Sequence, residues 1–469
     1  MKVKTRISFV CQECGYDSSS WLGKCPECGM WNSLREFQIP NSKIQNQKGG
    51  NVSENIKPQK LSEIVYEKES RIKTEYMELN TVLGGGIVPG SVILLAGDPG
   101  VGKSTLLLQL CLLLARQGKK VLYVSGEESV GQIKMRAMRI ESGIRNQESR
   151  GNPPNPLYQG GDIGENLYLL AMTDADGIVV QIETMKPDLV VVDSIQTIES
   201  QNVSGLSGSI AQVRYGALQF VRSAKQNSMP IIIVGHVTKE GMVAGPMILS
   251  HMVDTVLFLE GEKFTQTRIL RSLKNRFGPV DEVGIFLMGE VGMYEASSPE
   301  QLFFTPSHST PSSDGAGIPG SVLVATLEGS RSFLVELQGL VVRSGLPMPR
   351  RVVSGCDPRR VELLLAVLQK HCRIPLETMD VFVNVAGGLK LSDPGTDLGV
   401  CLAVFSSFAN ISLSGVVGIA EVGLLGELRL ISGLDKRVRE AKRLGLKRII
   451  TAKTHKTLRE VIGEFGKSK

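Results

Sequence analysis

One stretch of the sequence, GDPGVGKST at residues 97–105, has the residue types and spacing of a phosphate-binding loop. It fits G-x-x-x-x-G-K-[ST], in which glycines let backbone N–H groups surround phosphates while the following helix directs its positive end at them. We expect Lys103 to reach the outer phosphates of ATP and the Ser104 hydroxyl to bind Mg²⁺. The loop predicts further nucleotide-binding residues at Gly97, Asp98, Pro99, Gly100, Val101, Gly102 and Thr105.

Polar side chains follow three other apolar segments that have the pattern of buried strands. LVVVD ends at Asp193, VLYVS is followed closely by Glu127 and Glu128, and IIIVG is followed by His236. The ends of parallel strands meet at one edge of an open sheet, where ligands bind. We therefore expect Asp193 to hold the Mg²⁺ of a bound nucleotide and a carboxylate after VLYVS to orient the attacking water. Glu127 is favoured because it directly follows the strand and turn, and Glu128 is the alternative.

The histidine at the end of the last of these segments has two interpretations. His236 could sense the terminal phosphate of the nucleotide, which makes it a further candidate nucleotide-binding residue. The alternative is a structural histidine whose ring is satisfied by its surroundings.

A different pattern, SLKNRFGPV at residues 272–280, places two cations close together in an extended segment. Alternate side chains of a strand share a face, so Lys274 and Arg276 are expected to point one way and Asn275 the other. Two long cations on one rigid face indicate an anion as their target. The residues alone leave open whether that anion belongs to this chain, to a neighbouring subunit or to DNA.

Four cysteines near the start of the chain form two C-x-x-C pairs, Cys11 with Cys14 and Cys25 with Cys28. Each pair is followed by a glycine, which tolerates the left-handed conformation that such a turn requires. Four thiolates form a closed tetrahedral set, which predicts a structural Zn²⁺ site. A module this small would derive much of its folding free energy from the metal. The alternative is a redox dithiol with two further cysteines.

Length and composition limit the class of protein. A chain of 469 residues is expected to form two or three domains. It opens without the apolar segment of a signal peptide, and no apolar run is long enough to span a membrane. Eight cysteines without a secretion signal indicate reduced thiols and a cytoplasmic protein. The net charge is only +6, but residues 433–469 carry twelve Lys or Arg against four Asp or Glu.

Changes of pattern along the chain predict its organisation. We expect a cysteine module at residues 1–35, a polar linker at 36–60, an α/β core at 61–290 and a further domain at 291–469. Residues 141–165 are interpreted as a surface insertion. The segments 199–214 and 238–251 are rich in Gly and Ser, which indicates either mobile loops beside a threaded polymer or ordinary surface loops.

Taken in order, CQECG…CPECG, GDPGVGKST, VSGEES, VVVDSIQT, GHVTKEG and SLKNRFG make the chain resemble the bacterial RadA (Sms) family of DNA repair proteins over nearly its whole length. The resemblance implies an α/β fold with a RecA-like P-loop ATPase core that forms hexameric rings. It also implies ATP-driven movement on single-stranded DNA and branched recombination intermediates, together with the recombinase RecA. In RecA-like assemblies the equivalents of Lys274 and Arg276 reach the ATP of the adjacent subunit, so a neighbour's γ-phosphate becomes the favoured anion and DNA phosphate the alternative.

The resemblance extends to the C-terminal domain, which is similar to the α+β proteolytic domain of the Lon family. A Lon-type site needs a serine nucleophile and a lysine, but Asp397 and Asp435 stand at those positions and Lys436 is one residue away. We therefore expect a scaffold without the catalytic dyad. The segment LDKRVREAKRLGLKR is predicted to be a helix that contacts duplex DNA through Lys436, Arg437, Arg439, Lys442, Arg443, Lys447 and Arg448.

The leading hypothesis is therefore a DNA-dependent ATPase that drives branch migration in recombination. Two hypotheses from other classes stand beside it. One is an ATP-regulated scaffold that binds DNA and a recombinase without motor activity, and the other is an ATP-dependent protease, which Asp397 and Asp435 oppose.

Overall fold

The computed structural model of the chain describes residues 6–11, 17–26, 29–39, 60, 71–148, 164–236, 249–261, 266–280, 282–296, 303 and 317–466. Its residues cluster into two compact units. The first comprises Met1–Gly261, Arg268–Val280 and Phe286–Glu295, and the second comprises Glu262–Thr267, Asp281–Ile285 and Ala296–Lys469. In the described part of the chain no helix is both long and apolar enough to cross a membrane.

A small antiparallel sheet lies at the start of the chain. Its strands are β1 (Arg6–Cys11), β2 (Asp17–Ser18) and β3 (Leu34–Ile39), in the order β2-β1-β3. The strand β3 pairs with β1 along its full length, from Leu34 opposite Cys11 to Ile39 opposite Arg6. The predicted boundary at residue 35 was therefore wrong, because the ladder continues through what was read as the first part of the linker. Residues 40–59 of that linker lie outside the described part of the chain.

A nine-stranded sheet forms the centre of the first unit, in the order β12-β11-β10-β9-β4-β8-β7-β5-β6. Its strands are β4 (Val92–Gly97), β5 (Val121–Ser125), β6 (Leu167–Ala171), β7 (Leu189–Asp193), β8 (Ile231–Val234), β9 (Thr255–Glu260), β10 (Thr267–Asn275), β11 (Val283–Met288) and β12 (Met293–Glu295). The helices are α1 (Met77–Leu83), α2 (Lys103–Arg116), α3 (Val130–Glu148), α4 (Ala175–Met185) and α5 (Ile210–Asn227).

The strands from β4 to β9 pair in parallel, and β10 runs antiparallel to β9. The strands β4, β5, β7 and β8 are buried along their whole length. Such burial on both faces explains their continuous apolar sequences. Because these strands are parallel, their carboxyl ends meet at one edge of the sheet, as the sequence predicted.

Two predicted boundaries in this unit were wrong. Helix α3 continues to Glu148 and so takes up the beginning of the insertion predicted at 141–165; residues 149–163 lie outside the described part. The sheet also continues beyond residue 290, because β12 (Met293–Glu295) pairs with β11.

A six-stranded sheet forms the second unit, in the order β15-β16-β14-β13-β17-β20. Its strands are β13 (Ser321–Glu328), β14 (Arg331–Arg343), β15 (Arg351–Ser354), β16 (Met379–Val385), β17 (Val416–Ile419) and β20 (Arg448–Thr451), and β18 (Glu421–Val422) with β19 (Leu428–Arg429) forms a hairpin. The helices are α6 (Pro358–Cys372), α7 (Asp397–Ala409), α8 (Leu434–Arg443) and α9 (Leu458–Gly466).

Candidate nucleotide site

The phosphate-binding loop connects β4 to α2, as its sequence predicted. Gly97 lies so close to β9 that a Cβ there would be 2.4 Å from the backbone oxygen of Leu259, so no side chain fits. Gly100 has φ +78°, a conformation that glycine adopts at little cost. Asp98, Pro99 and Gly100 are exposed at the turn, while Lys103 is buried.

Lys103 is held at the centre of this loop. Its Nζ donates hydrogen bonds to the backbone oxygens of Gly97 at 2.8 Å and Asp98 at 3.0 Å. Burial lowers the pKa of Lys103, although the nearby carboxylates of Asp193, Asp98 and Glu127 oppose that shift. A buried ammonium with carbonyl partners at a helix N-terminus is suited to exchange those partners for phosphate oxygens.

The two candidate glutamates after β5 have different surroundings. Glu127 Oε1 accepts a hydrogen bond from Ser194 Oγ at 2.6 Å and lies 3.6 Å from His236 Nε2. Glu128 Oε1 instead accepts a hydrogen bond from Arg136 Nη1 at 2.9 Å, on helix α3. Glu127 is therefore the glutamate that contacts residues at the ends of β7 and β8.

The predicted Mg²⁺ ligands have a suitable chemistry. Asp193 ends β7 and its Oδ2 accepts a hydrogen bond from the Tyr123 hydroxyl at 2.5 Å. Ser104, the second residue of α2, offers a hydroxyl oxygen. A carboxylate and a hydroxyl are hard oxygen donors of the kind that Mg²⁺ takes, so these two side chains are the ones that would hold the ion with a nucleotide.

His236 follows β8 and lies beside the same group of charges. Burial and the neighbouring charge of Lys103 lower the pKa of His236, while Glu127 and Asp193 oppose the shift. The structure thus brings together Lys103, Glu127, Asp193 and His236 from four different parts of the sequence.

Sequence reasoning missed several residues that support this group. Ser194 donates a hydrogen bond to Glu127, and Tyr123 donates one to Asp193. Arg268 Nε donates a hydrogen bond to the backbone oxygen of Val101 at 2.9 Å. Ser194 has a sequence signal, because it directly follows Asp193. Tyr123 and Arg268 have none, since each lies within a strand whose neighbours only the fold determines.

Lys274 is the second-last residue of β10, and Arg276 directly follows the strand. Lys274 Nζ donates hydrogen bonds to the backbone oxygens of Ser250 at 2.6 Å and Val253 at 2.9 Å. Arg276 Nη1 lies 3.5 Å from Asp254 Oδ1, and its side chain is 57% exposed. Burial and the charge of Arg276 lower the pKa of Lys274. Asn275 between them is buried, as strand alternation predicted.

The cysteine module contains two described members of the predicted metal set. Cys11 and Cys25 are buried in one apolar cluster with Leu34. The Gly29 N–H donates a hydrogen bond to the Cys25 backbone oxygen at 2.9 Å. Four thiols in two such pairs would suit Zn²⁺, but Cys14 and Cys28 lie outside the described residues. Within the described ranges, no three His, Cys, Asp or Glu side chains form a metal-binding group.

In the second unit, Asp397 stands at the start of α7 and is buried. Its carboxylate forms two hydrogen bonds with the Arg360 guanidinium, and Oδ2 also accepts one from Val422 N–H at 3.1 Å. Burial raises the pKa of Asp397, and the bonds to Arg360 oppose that shift. Asp435 is exposed, and its Oδ1 lies 3.2 Å from Lys453 Nζ. Neither residue supplies the nucleophile or the lysine of a Lon-type site.

The predicted basic helix differs from expectation in two ways. It ends at Arg443, so Lys447 and Arg448 lie in the following turn and strand. Arg437 was wrongly placed on the DNA-facing surface: only 2% of its side chain is exposed, and it pairs with Asp393 and donates to the Ala325 oxygen at 2.7 Å. Leu434, Arg437 and Ala441 share the buried face of α8.

Comparison with known proteins agrees with the nucleotide loop and the cysteine pairs. A family model described as an AAA domain matches residues 58–242, and one described as a rubredoxin metal binding domain matches residues 9–36. A protein of Halalkalibacterium halodurans named DNA repair protein RadA is 45% identical to this chain over 95% of it and 92% of the relative. The chain belongs to the RadA family of DNA repair proteins.

Further RadA relatives match to a similar extent. Those of Listeria monocytogenes and Bacillus subtilis are 42% and 43% identical, over 97% and 95% of this chain and 93% and 92% of their own lengths. Among solved structures, one described as a crystal structure of the RadB recombinase matches with 24% identity and a TM-score of 0.36, over 48% of this chain and 99% of that chain.

The RadA relatives confirm the predicted family. The matched AAA domain confirms the RecA-like α/β core and the ATP hydrolase class, and the matched metal binding domain confirms the N-terminal zinc ribbon. ATP, with Mg²⁺, follows as the nucleotide substrate of such a domain, and the ribbon indicates a bound metal. The Lon-like assignment of the C-terminal unit and the roles of individual site residues stay predictions.

Proposed function

We propose that this protein is a DNA-dependent ATPase that moves along single-stranded DNA and drives branch migration of recombination intermediates. It acts as a homohexameric ring and cooperates with the recombinase RecA in the cytoplasm. The RadA relatives, which are named as DNA repair proteins, support the biological context.

The observation that carries this proposal is the position of Lys274 relative to the phosphate-binding loop. Lys274 pairs with Val256 of β9, and Val256 pairs with Leu94 near the beginning of β4. The loop begins at the other end of β4, after Gly97, roughly 10 Å further along the strand. Lys274 therefore lies toward the sheet edge opposite its own nucleotide site, which supports a target outside its own subunit.

Asp254 organises the cations at this opposite edge. It is buried, and its Oδ2 accepts hydrogen bonds from Val92 N–H at 3.0 Å and Lys225 Nζ at 2.6 Å. Its Oδ1 lies 3.5 Å from Arg276 Nη1. The backbone N–H of Arg276 also donates a hydrogen bond to the backbone oxygen of Asp254 at 3.1 Å. The backbone at the cation pair is thus fixed to the sheet, while the exposed Arg276 side chain extends from it.

The proposed mechanism shares each active site between two subunits. Lys103 binds the terminal phosphates, and Glu127 orients the attacking water. When present, Mg²⁺ would neutralise phosphate charge while held by Ser104 and Asp193. Lys274 and Arg276 of the adjacent subunit stabilise the charge that develops on the transferred phosphoryl group. Hydrolysis then depends on ring assembly, which couples it to movement between subunits.

The second unit supports contact with duplex DNA. Lys436, Arg439, Lys442 and Lys447 are exposed on α8 and the turn that follows it. Arg437 is buried, while Arg443 and Arg448 pair with Glu440 and Glu464. We infer that the four exposed cations contact DNA phosphates without sequence preference and in a salt-sensitive way.

The test is extension of a labelled three-stranded recombination intermediate with and without ATP. The variants are Lys274→Ala, Lys103→Ala as a nucleotide-binding control, and Arg271→Ala as a matched control. Arg271 lies on the same strand, but its Nε pairs with Glu260 within the subunit at 3.1 Å. We expect ATP-dependent extension by the wild type and Arg271→Ala, and none by the other two variants. Lys274→Ala should still bind nucleotide.

Two outcomes would contradict the proposal, and a third would revive a rival hypothesis. Extension by Lys274→Ala at the wild-type rate would show that the cation does not act on a neighbour's nucleotide. DNA-stimulated hydrolysis without extension by the wild type would favour the scaffold hypothesis. Digestion of casein by the wild type would revive the protease hypothesis, which the pairing of Asp397 with Arg360 opposes.

A further inference from the structure

The turn that follows β10 is held by an arginine from the segment that precedes helix α1. Arg71 Nη2 donates a hydrogen bond to the backbone oxygen of Phe277 at 2.7 Å, between residues 206 positions apart in the sequence. Its Nη1 donates to the backbone oxygens of Gly84 at 2.9 Å and Leu83 at 3.4 Å. One guanidinium therefore joins the carboxyl end of α1 to the turn that begins at Arg276.

The chemistry of the guanidinium suits this contact. Leu83 is the last residue of α1, and the last carbonyls of a helix have no donor within the helix. A guanidinium holds its N–H donors in one rigid plane, so the bonds to α1 and to Phe277 constrain each other. The segment that carries Arg71 is itself anchored, because Ile72 and Ile87 exchange two backbone hydrogen bonds at 2.8 Å and 2.9 Å.

Two glycines bring the turn into direct backbone contact with the end of α1. A Cβ built on Gly84 would lie 2.9 Å from the Gly278 Cα, and one built on Gly278 would lie 2.9 Å from the Gly84 Cα. Gly84 also has φ +76°, a conformation that favours glycine. No side chain fits between the two backbones, so the turn lies directly on the end of the helix.

The buried Asn275 completes the attachment on the other side of Arg276. Its Oδ1 accepts a hydrogen bond from the Phe277 N–H at 2.9 Å, and its Nδ2 donates to the Val82 oxygen at 3.4 Å. Arg276 thus lies between two residues that are both bonded to the end of α1 or to its clamp. Its backbone is held on both sides, while its side chain is 57% exposed.

We propose that Arg71 is a positioning residue for the cation pair, and that it holds the turn so that Arg276 reaches the nucleotide of the adjacent subunit. This inference rests on the proposed sharing of active sites, and it names the residue that fixes the shared geometry. A cation stabilises the transferred phosphoryl group only at close range, so a small displacement of the turn lowers catalysis strongly. Arg71 acts through the Phe277 backbone.

A purely structural role for Arg71 would have a different consequence. Loss of a structural contact impairs the subunit that carries the substitution, including its own phosphate-binding loop. Loss of a positioning contact impairs the site of the neighbouring subunit and leaves the loop of its own subunit intact. The two roles are therefore separated by asking which subunit of a mixed ring is defective.

The first measurement is ATP turnover by full-length Arg71→Met, which keeps most of the side-chain length and removes every donor. We expect kcat to fall about ten-fold or more while KM stays within about two-fold, because the subunit's own loop is intact. Arg71→Lys keeps a charged donor and should recover part of kcat. Lys73→Met is the matched control, since Lys73 is exposed on the same segment, and it should keep the wild-type kcat and KM.

The second measurement mixes two impaired variants. Subunits with Arg71→Met have an intact phosphate-binding loop, and subunits with Lys103→Ala have an intact cation pair. In an equal mixture about a quarter of the sites combine both intact parts, because each site takes one part from each of two adjacent subunits. We expect turnover above the average of the two separate proteins. Lys274→Ala with Lys103→Ala should show the same gain, and Arg71→Met with Lys274→Ala should show none.

The outcomes separate the inference from the proposed function. Wild-type kcat in Arg71→Met would overturn the inference. So would a gain for Lys274→Ala mixed with Lys103→Ala that Arg71→Met fails to reproduce, and this result would leave the shared active site in place. Absence of a gain in both mixtures would overturn the shared active site, and the inference with it.

Discussion

Ser194 donates a hydrogen bond to Glu127, and this contact distinguishes Glu127 from the adjacent Glu128. The donor–acceptor distance is 2.6 Å, and Ser194 directly follows the predicted Mg²⁺ ligand Asp193. Glu128 Oε1 instead pairs with Arg136 Nη1 on α3, at 2.9 Å. Two neighbours in sequence thus belong to different networks, one at the strand ends and one on the helix.

The first prediction concerns these two glutamates. Glu127→Gln keeps the shape of the side chain but removes its capacity to accept a proton from water, so ATP turnover should fall by about 100-fold or more. Binding of a fluorescent ATP analogue should stay within about three-fold, since Lys103 and the loop backbone still hold the phosphates.

Glu128→Gln is the matched control for that prediction. It breaks only the ion pair with Arg136, and turnover should stay within about three-fold of the wild type. If Glu128→Gln abolished turnover while Glu127→Gln preserved it, the assignment would be reversed.

The second prediction concerns the ion pair in the C-terminal unit. Arg360→Met leaves the Asp397 carboxylate buried without its guanidinium partner, and should lower the free energy of unfolding by about 2 kcal/mol. The loss is smaller than for a fully buried pair, because 35% of the Arg360 side chain is exposed. Urea unfolding followed by circular dichroism measures it.

Arg429→Met provides the comparison for this pair. Arg429 is 56% exposed and pairs with Glu427 at 2.5 Å. Its loss should cost clearly less than the loss of Arg360, because exposed ion pairs contribute little to stability. Equal losses for the two variants would show that the burial of Asp397 has no energetic consequence.

The third prediction is a pH dependence centred on Asp380. Its carboxylate accepts hydrogen bonds from Arg350 N–H at 2.7 Å and from the Arg350 guanidinium at 2.8 Å and 3.0 Å. These bonds lower the pKa of Asp380 from 3.8 to about 2. The unfolded chain therefore binds more protons than the folded chain in this range, so the stabilisation is complete above pH 3.8 and is lost as the pH falls toward 2.

Acid unfolding of Asp380→Asn measures this contribution. The variant should be less stable than the wild type at pH 6, and the difference should shrink steadily below pH 3.8. A stability difference that stayed constant down to pH 2 would show that the carboxylate does not titrate in that window.

The fourth prediction concerns the cysteine module. The purified chain should contain bound zinc, and Cys25→Ser should release it and unfold the module, because Zn²⁺ binding by the four predicted thiolates would supply much of the folding free energy. ATP-analogue binding should persist, because the nine-stranded sheet has apolar cores of its own. Metal content by atomic absorption and binding by fluorescence give the two readouts.

Cys356→Ser is the control for metal content, because Cys356 lies in the C-terminal unit. It should leave the zinc unchanged. Full zinc content in Cys25→Ser, or none in the wild type, would contradict the predicted metal site.

The sequence by itself determined the features whose chemistry is local. The phosphate-binding loop, the helix that starts at Lys103 and the buried strand that ends at Asp193 were all predictable, because loop conformation and apolar runs depend on neighbouring residues. The order of these motifs was also enough to predict the RadA family, which comparison confirmed.

Tertiary structure alone decided which side chains face the site and which are removed from the surface. Glu127 and Glu128 follow the same strand, and only the position of Ser194 and Arg136 separates them. Arg437 was expected on a DNA-facing surface, yet Asp393 and the Ala325 oxygen bind it in the interior. Such outcomes depend on partners far away in sequence, whose location is set only when the sheets and helices pack together.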